Sequence, residues 1–466
     1  MQDSSIEFDH EMISRYNRSG PRYTSYPTAV KFHENVSEAE FKRTCQAGND
    51  DLVPAPLSLY FHIPFCDTVC FYCACNKIVT KHKSRAKDYL SALYQEIELV
   101  SQHFDADREV QQLHFGGGTP TFLSEDEISG LMWKIKSHFN ACPSSKKDYS
   151  IEIDPRSVTP HYIHVLSTLG FNRYSLGVQD VDLKVQKAIN RIQPVAKTME
   201  VLEACRDSGA KSINIDLIYG LPFQTASSFK ETVAAVIEMN PDRLSIFNYA
   251  HMPQLFKPQR RINEADLPSP EEKLHILKNT VEQLGTADYV YIGMDHFAKP
   301  DDELVVARAT GALQRNFQGY TTHGNCDLVA MGVSSISKIR GVFSQNCKDE
   351  ASYMSALNAG SLPIVKGYQM NEEDRLRAYI IQQLSCYNRV DRQAVSARFG
   401  IDFQAHFKDE LETLLPMQQD GLLEISEQSI EVSPKGRLLI RNICMVFDEY
   451  LPKHQDESNV RYSKAI

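Results

Sequence analysis

The sequence predicts an α/β protein: an incomplete (β/α)6 TIM-like barrel, with an N-terminal strap and a mainly helical, winged-helix-like C-terminal domain. Three observations predict this fold. Six short apolar runs are each followed by a stretch with helical periodicity. These units span about 190 residues, whereas a complete eight-unit barrel needs about 250, or about 31 per unit. From Asn371 onward, the pattern changes to helices that flank a hairpin.

The chain divides into four predicted segments. We expect an N-terminal lid or strap over 1–55, the partial barrel with an extension over 56–340, a linker over 341–370 and the C-terminal domain over 371–466. The 466 residues exceed what one hydrophobic core usually holds, which agrees with a division into domains.

The individual elements follow from apolar spacing, turn residues and caps. Barrel strands are predicted over residues 57–63, 111–115, 149–153, 173–178, 212–218 and 243–248. Barrel helices are predicted over 84–104, from Ser124 with a capping box to Glu127, and over 160–169, 184–188, 196–208 and 227–238. A helix over 269–284 and a strand over 289–292 follow, and the C-terminal domain has helices over 374–384, 392–399, 407–418 and 434–447 around a hairpin over 421–432.

Composition excludes several classes of function. The formal net charge of −10 opposes nonspecific binding to nucleic acid or to an anionic membrane, so we expect the C-terminal domain to be a packing or lid domain rather than a DNA reader. Met1–His10 lacks the apolar core of a signal peptide, and no run is apolar enough to span a membrane. Eleven cysteines without a secretion signal predict a cytoplasmic protein in a reducing compartment.

Four of the cysteines lie close together just after the first barrel strand. Cys66, Cys70 and Cys73 form a C-x3-C-x2-C pattern, and Cys75 follows. Pro64 ends the strand, so these cysteines sit on a loop at its carboxyl end, where barrel folds place their chemistry. Structural zinc is one interpretation, but no second cysteine pair supplies the remaining ligands. A [4Fe–4S] cluster is the other, because thiolates are the usual ligands of such clusters.

The C-x3-C-x2-C loop strongly resembles that of the radical S-adenosylmethionine enzymes. The resemblance implies that Cys66, Cys70 and Cys73 hold a [4Fe–4S] cluster, whose open iron is chelated by the methionine part of S-adenosylmethionine. It also implies a partial barrel with a lateral opening for a large substrate. The run Gly116–Thr119 after the second strand matches a glycine-rich turn whose backbone approaches the methionine amino group, because glycine has no side chain. Tyr72 resembles the aromatic residue that contacts adenine.

Other polar residues lie at or just past predicted strand ends. Glu152 points into the barrel mouth if Ile151 and Ile153 pack outward, and Asp154 follows on the same strand. We expect Gln179, Arg191 and Asp216 to line the same face as polar partners of a cofactor ribose or carboxylate. Histidines also lie near strand ends, although no two have the spacing of metal ligands: His62, His114, His251 and His296.

The N-terminal segment RYNRSGPRYTSYPT is rich in arginine and tyrosine. It could be a surface strap that packs its aromatic side chains on the main domain. Alternatively it is a lid over the site, with its cations facing an anionic ligand. The candidate residues for that role are Arg15, Arg18, Arg22 and Tyr23.

Longer motifs resemble one family within this superfamily, the oxygen-independent coproporphyrinogen III oxidases, and they cover nearly the whole chain. They are SGPRYTSYPTA, YFHIPFCDTVCFYCACNKIVT, LHFGGGTPTFL, IEIDPR, YSLGVQD, NIDLIYGLP, DRLSIFNYAH, IGMDHFAKPDDEL, QGYTTH and KGRLLIRNICMVFD. By this resemblance, the residues that contact the cluster-bound S-adenosylmethionine are Tyr60, Gly117, Glu152 and Ile336. A second S-adenosylmethionine would contact Tyr72, Gly118, Thr119, Gln179, Arg191, Asp216 and Ala250. Cys75 matches a cysteine implicated in activity, and Glu152 and Arg22 are further candidate catalytic residues.

The resemblance also implies a reaction. Reductive cleavage of S-adenosylmethionine gives a 5′-deoxyadenosyl radical, which takes a hydrogen atom from the β-carbon of a propionate. Loss of CO2 and one electron leaves a vinyl group, and two such steps convert coproporphyrinogen III to protoporphyrinogen IX in haem biosynthesis. The implied partners are a tetrapyrrole with four carboxylates and a reducing electron-transfer protein such as flavodoxin or ferredoxin. We expect a monomer that binds neither nucleic acid nor membrane.

Two other functions remain open at this point. A haem chaperone of the same superfamily keeps the three-cysteine motif, but it lacks a cysteine at the position of Cys75 and the SGPRYTSYP segment. Another radical enzyme, such as one that modifies RNA, is opposed by the acidic charge balance and by the absence of a basic stripe in the sequence.

Overall fold

A computed structural model describes residues 5–142, 147–451 and 462 of the chain. The outer ends of the predicted segments 1–55 and 371–466 therefore lie in part outside the described residues. Within the described residues, no helix is both long and apolar enough to cross a membrane.

Six parallel strands form the centre of the fold, in the order in which they occur along the chain. We number them β1 (Leu57–Ile63), β2 (Glu109–Gly117), β3 (Asp148–Ile153), β4 (Arg173–Gln179), β5 (Ser212–Tyr219) and β6 (Arg243–Asn248). The helices that follow them are Arg85–Ser101, Glu125–His138, Pro160–Leu169, Leu183–Ala188 with Val195–Asp207, Ala226–Met239 and Pro270–Thr286. The predicted six-unit partial barrel is thereby confirmed.

Along the strands, apolar side chains that face the core alternate with polar side chains that face the inside of the barrel. Ile151 and Ile153 are buried in the main core, whereas Ser150 and Glu152 are half-buried and line a cavity inside the barrel. Successive strand residues point to opposite faces, so one face of the sheet packs under the helices and the other faces the cavity. The predicted inward direction of Glu152 is confirmed by this pattern.

The sheet extends beyond the predicted barrel at both edges. Next to β1 lies the parallel strand Asp327–Met331, and antiparallel strands continue from it: Ile336–Ile339, Val342–Asn346 and Ile364–Gln369. Beyond β6, the strands His296–Ala298 and Val290–Gly293 add antiparallel partners. The strand predicted over 289–292 is present as Val290–Gly293.

The structure corrects the predicted linker over 341–370. This segment holds the strands Val342–Asn346 and Ile364–Gln369, joined by the helix Glu350–Asn358. All five residues of Val342–Asn346 are buried, although three of them are polar. Because both strands pair within the main sheet, the segment belongs to the barrel extension.

The remaining elements are short or belong to the two ends of the chain. The strap contains the helices His10–Tyr16 and Glu38–Asn49 and the 3-10 turn Ala29–Lys31. Short pairs join Phe65–Cys66 to Ile78–Val79 and Gln314–Asn316 to Gly319–Thr321, and Asn140–Ala141 pairs with β2. The other helix of the extension is Glu303–Thr310, and further 3-10 turns occur at Pro120–Phe122, Pro155–Ser157, Lys257–Arg261, Glu264–Asp266 and Arg437–Leu439.

The C-terminal domain has the predicted mixture of helices and a small sheet. Its helices are Glu372–Tyr387, Arg392–Phe399, Phe403–His406, Lys408–Gln419 and Ile440–Val446. Its three strands pair antiparallel around the central one: Arg389–Asp391, Ser429–Val432 and Leu423–Ile425. The predicted last helix is shorter than expected, because the chain forms a 3-10 turn at Arg437–Leu439 before it.

Candidate functional site

The cysteine loop is closed at its base by a short pair of parallel strands. Phe65–Cys66 pairs with Ile78–Val79, and Thr80 N–H donates to the Cys66 carbonyl at 2.9 Å. Within the loop, Cys66 and Cys70 are buried, Cys73 is half-buried and Cys75 is exposed. The first two cysteines of the C-x3-C-x2-C pattern are therefore covered by protein, whereas the third and Cys75 are more accessible.

Donor groups from distant strands surround the buried thiols. The Thr119 hydroxyl donates to Cys66 Sγ at 3.4 Å, and Arg191 Nη1 donates to Cys70 Sγ at 3.7 Å. Arg156 Nη2 lies 3.9 Å from the same sulfur. These contacts fix the positions of the two sulfur atoms, and thiolate sulfur is the form of cysteine that binds metal.

The pKa values of the thiols differ with their surroundings. A hydrogen bond from Cys75, together with the nearby charge of Lys77, lowers the pKa of Cys73 to about 5. Burial raises the pKa of Cys66 to about 11, although the bond from Thr119 opposes this effect. A cluster would displace the remaining protons, since its cysteine ligands bind as thiolates.

The arrangement of the thiols bears on the zinc interpretation. Within residues 5–142, 147–451 and 462, no three His, Cys, Asp or Glu side chains converge as ligands of a single metal ion. Structural zinc is bound by four donors that all contact one ion. Three thiolates that each bind a different iron do not need to meet at one point. Three cysteine thiolates are also the kind of donor set that holds an iron–sulfur cluster.

The glycine-rich turn packs directly against the end of β1. Gly118 N–H donates to the Ile63 carbonyl at 2.9 Å. A Cβ on Gly118 would lie 2.5 Å from the Pro64 carbonyl oxygen, and a Cβ on Gly117 would lie 2.7 Å from the His62 ring. Gly117 also has φ +119°, a conformation that side chains disfavour. No larger residue fits this approach of the turn to the cysteine loop.

Glu152 links the turn to the cavity. Its carboxylate accepts a hydrogen bond from Gly117 N–H at 3.1 Å and lies 3.5 Å from His114 Nε2. Tyr60 stacks on His114 with ring centroids 5.7 Å apart, and its hydroxyl contacts His62 Nδ1 at 3.1 Å. The structure therefore brings Tyr60, Gly117 and Glu152 together at the top of the cavity.

The cavity inside the barrel has a volume of about 530 Å³. Tyr60, Glu152, Asp216 and Ile336 line it, so four of the predicted site residues share one space. Asp216 accepts hydrogen bonds from Ser175 Oγ at 3.0 Å and from Asn214 Nδ2 at 2.8 Å. Burial and the nearby charge of Glu152 raise the pKa of Asp216 to about 6.

Arg191 connects the cysteine loop to β3 and β4. Besides Cys70, its guanidinium contacts Asp154 Oδ2 at 3.0 Å and the Gly177 carbonyl at 2.5 Å. Although burial raises the pKa of Asp154, Arg191 and Arg156 outweigh this effect, so its pKa lies below the usual range. Arg191 is thus an ion-paired cation held beside a candidate ligand.

Gln179 has an unusual backbone at the end of β4. Its φ is +71°, which is uncommon for a residue with a side chain, and it is buried. Its side-chain oxygen has no hydrogen-bond partner within the described residues. Buried polar atoms are normally paired, so this oxygen is available to a bound molecule.

Tyr72 lies within the cysteine loop, and Ala250 lies just past the end of β6. Tyr72 packs against a small apolar cluster beside the loop, and its carbonyl accepts a hydrogen bond from Gln259 Nε2 at 3.0 Å. The cluster consists of Val185, Ile189, Leu221, Tyr249 and Ile262. Ala250 follows Tyr249 just past β6 and is half-buried.

The strap brings one of its arginines to the barrel opening. Arg22 Nη2 donates to the Asn248 carbonyl at 3.3 Å, and its guanidinium lies 5.7 Å from the Phe247 ring centroid. Phe247 lines the cavity. Arg15 instead pairs with Asp420, and the buried Tyr23 donates to Asp448. Arg18 is exposed.

The candidate histidines have structural hydrogen bonds. His62 Nε2 donates to the Asn76 carbonyl at 2.9 Å, and burial lowers its pKa. The neutral ring therefore accepts a hydrogen bond from the Tyr60 hydroxyl at Nδ1. His114, His251 and His296 contact Ser150 Oγ, the Tyr249 hydroxyl and the Met294 carbonyl, respectively.

An ion-pair layer at the opposite end of the cavity was not predicted. Arg173 pairs with Asp148 and with Glu303, and Arg243 Nη2 lies 3.2 Å from Glu303 Oε1. Although burial opposes ionisation of Glu303, these arginines lower its pKa to about 2. Charged residues at the start of β3, β4 and β6 were the sequence signal for this layer.

Comparisons with known proteins identify relatives of this chain. The model of the radical SAM superfamily matches residues 60–236, and that of the HemN C-terminal domain matches residues 370–439. Oxygen-independent coproporphyrinogen III oxidase of Pseudomonas aeruginosa is 50% identical over 466 residues, or 99% of both chains. The enzyme of the same name from Escherichia coli K12 is 46% identical over 100% of both chains.

A solved structure shares the whole fold. The structure described as coproporphyrinogen III oxidase (HemN) from Escherichia coli, a radical SAM enzyme, matches with a TM-score of 0.91 and 45% identity. The match covers 96% of this chain and 100% of the other. The chain therefore belongs to the oxygen-independent coproporphyrinogen III oxidases of the radical SAM superfamily.

Proposed function

We propose that the cysteine loop, the glycine-rich turn and the polar cavity form one active site for the oxidative decarboxylation of coproporphyrinogen III to protoporphyrinogen IX. This chain is an oxidoreductase, and its place is in porphyrin biosynthesis. The observation that carries the proposal is a C-x3-C-x2-C loop whose two buried thiols accept hydrogen bonds from Thr119 and Arg191, beside a glycine-rich turn that is bonded to Glu152 of the polar cavity. With a [4Fe–4S] cluster and S-adenosylmethionine bound, such a site supplies a 5′-deoxyadenosyl radical that removes a propionate hydrogen atom.

Each group of residues has a proposed role. Cys66, Cys70 and Cys73 hold the cluster as thiolates, which Arg191 stabilises through its contact with Cys70. Tyr60, Gly117, Glu152 and Ile336 hold the cluster-bound S-adenosylmethionine. A second S-adenosylmethionine contacts Tyr72, Gly118, Thr119, Gln179, Arg191, Asp216 and Ala250. The unpaired oxygen of Gln179 supports that second site, since a ribose hydroxyl could donate to it.

The electron supply and the cellular setting are further parts of the proposal. Reduction of the cluster requires a low-potential donor, and we assign this role to flavodoxin or ferredoxin. All eleven cysteines are free thiols, which supports a reducing, cytoplasmic environment. We propose that the enzyme acts there as a monomer. Cys75 is exposed within the loop, where it can take part in the reaction without binding the cluster.

An anaerobic assay tests the function. The chain is reconstituted with iron and sulfide and is then given dithionite, S-adenosylmethionine and coproporphyrinogen III. We expect protoporphyrinogen IX together with 5′-deoxyadenosine, because the reaction consumes the cofactor radical. Absence of both products would contradict the function. Tight haem binding without turnover would instead identify a haem chaperone.

Replacing Arg22 by alanine tests the substrate end of the site. Arg22 is the strap cation at the cavity opening, and the substrate carries four carboxylates. Loss of one charge-assisted hydrogen bond is expected to raise KM for coproporphyrinogen III about tenfold. The affinity for S-adenosylmethionine, measured by equilibrium dialysis, should not change. As a control, Arg15→Ala removes a strap cation that pairs with Asp420 and should leave both constants unchanged. An unchanged KM in Arg22→Ala would contradict this role.

A further inference from the structure

Three basic segments meet the cysteine loop from outside. They are residues 77–83 (KIVTKHK), 184–187 (KVQK) and 257–261 (KPQRR). Eight of their sixteen residues are lysine or arginine and none is acidic, although the whole chain has a net charge of −10. A local positive surface on an acidic protein points to recognition of an anionic partner.

Each segment touches the loop directly or through its neighbouring residue. Lys77 Nζ donates to the Cys73 carbonyl at 3.1 Å. Asn190, two residues after the helix that carries the second segment, donates to the Val69 carbonyl at 2.8 Å, and Gln259 donates to the Tyr72 carbonyl at 3.0 Å. The positive charges thus lie next to the loop that carries the proposed cluster ligands.

Exposed aliphatic side chains lie among these charges. Val79, Leu183 and Leu255 are in or beside the three segments, and their exposed fractions are 44%, 52% and 58%. Ile192, which follows the buried Arg191, is 54% exposed. Exposed apolar residues that are surrounded by charged residues are typical of a protein-binding surface rather than of a site for a small ion.

In this surface, within the described residues, more lysine and arginine side chains lack an acidic partner than have one. Lys83 pairs with Asp67, and Arg261 stacks on Phe71 with its guanidinium 5.3 Å from the ring centroid. The exposed side chains of Lys187 and Lys257 have neither kind of contact within the described residues. Their charge is therefore directed to solvent, where it can attract a partner before contact.

We propose that the surface formed by residues 77–83, 184–187 and 257–261 docks a small acidic protein that carries one electron. This proposal rests on the proposed function, because an electron carrier has a role here only if the cysteine loop holds a cluster that must be reduced. In the step it serves, the reduced carrier loses one electron and the cluster gains it, with no bond made or broken. Docking here would place the carrier beside the cysteine loop, which carries the proposed cluster ligands.

The double variant K187E/K257E tests this surface. Reconstituted enzyme is titrated with purified flavodoxin, an acidic probe, at about 0.05 M salt, where screening is weak. We expect Kd for flavodoxin to rise about tenfold, with an equal fall in the second-order rate of cluster reduction. The control K278E/K408E makes the same charge change at exposed lysines on two other helices and should match the unmodified enzyme.

The outcomes separate this proposal from the proposed function. Turnover with dithionite reports the chemistry without a docked protein, and it should be equal in all three enzymes. If dithionite turnover is absent in the unmodified enzyme, the proposed function fails instead. Equal flavodoxin affinity and equal reduction rates in both double variants would overturn the docking surface. So would a change in oligomeric state of K187E/K257E with unchanged affinity, since it would show a contact between copies of this chain.

Discussion

Serine in place of Cys70 is expected to abolish the broad visible absorbance of the reconstituted protein and the formation of 5′-deoxyadenosine. Cys70 is buried beside the guanidinium groups of Arg191 and Arg156, whose contacts fix the position of its sulfur. A serine hydroxyl is a poor ligand for iron in comparison with a thiolate, which these clusters require. Iron content, visible absorbance and S-adenosylmethionine cleavage should fall together to the level of the unreconstituted protein.

Cys205→Ser is the matched control for this prediction. Cys205 is also a buried cysteine, but it lies on the helix Val195–Asp207 under the sheet, away from the loop. Its substitution can lower stability, yet it should leave iron content unchanged. If both variants keep the cluster, Cys70 is not a ligand. If both lose it, the loss reflects misfolding, and a thermal unfolding measurement on each variant separates that cause.

The regular part of the fold could be predicted because its signals are local. Each of the six barrel strands has apolar alternation and ends at a turn, and each helix has an apolar face. The strand Val342–Asn346 could not be recognised in this way, because Ser344, Gln345 and Asn346 resemble a loop. In the structure, Asn346 donates to the buried carboxylate of Glu96 at 2.6 Å, and Gln345 donates to the Ser334 carbonyl. The Asn346 amide is satisfied by a carboxylate 250 positions away in the chain, which no local pattern shows.

The candidate site was predictable to a similar extent. The cysteine spacing and the glycine run identify the loop and the turn, because each motif is short and continuous. The surroundings of the thiols depend on pairing between distant strands. The contact of Arg191 with Cys70 joins residues 121 positions apart, and the left-handed backbone of Gln179 coincides with a register shift between β4 and β5. Neither feature has a signal in the sequence alone.

Alanine in place of Gly118 is expected to separate the glycine-rich turn from the cysteine loop. The new Cβ would lie 2.5 Å from the Pro64 carbonyl oxygen and 2.8 Å from that of Phe65. Both atoms belong to backbone, so neither can rotate away, and the end of β1 must move. Overpacking of this kind lowers the free energy of unfolding by about 1–3 kcal/mol.

The larger effect of Gly118→Ala is expected on the reaction. A displacement of about 1 Å at a positioned reactant can cost about a hundredfold in rate, and the turn and the loop together position the proposed cofactor. We therefore expect 5′-deoxyadenosine formation to fall by about that factor, while visible absorbance shows that the cluster is still bound. Single-turnover measurements with dithionite as reductant provide the rate.

Gly285→Ala shows whether the effect comes from the close approach or from loss of a glycine as such. A Cβ on Gly285 meets no atom within 4 Å, and this residue lies in the helix Pro270–Thr286. Replacing it should stabilise the protein by about 0.5–1 kcal/mol, because alanine favours the helix. Cofactor cleavage should stay at the rate of the unmodified enzyme. Cleavage at that rate in Gly118→Ala as well would show that the turn does not need a bare backbone, and that the cofactor binds elsewhere in the cavity.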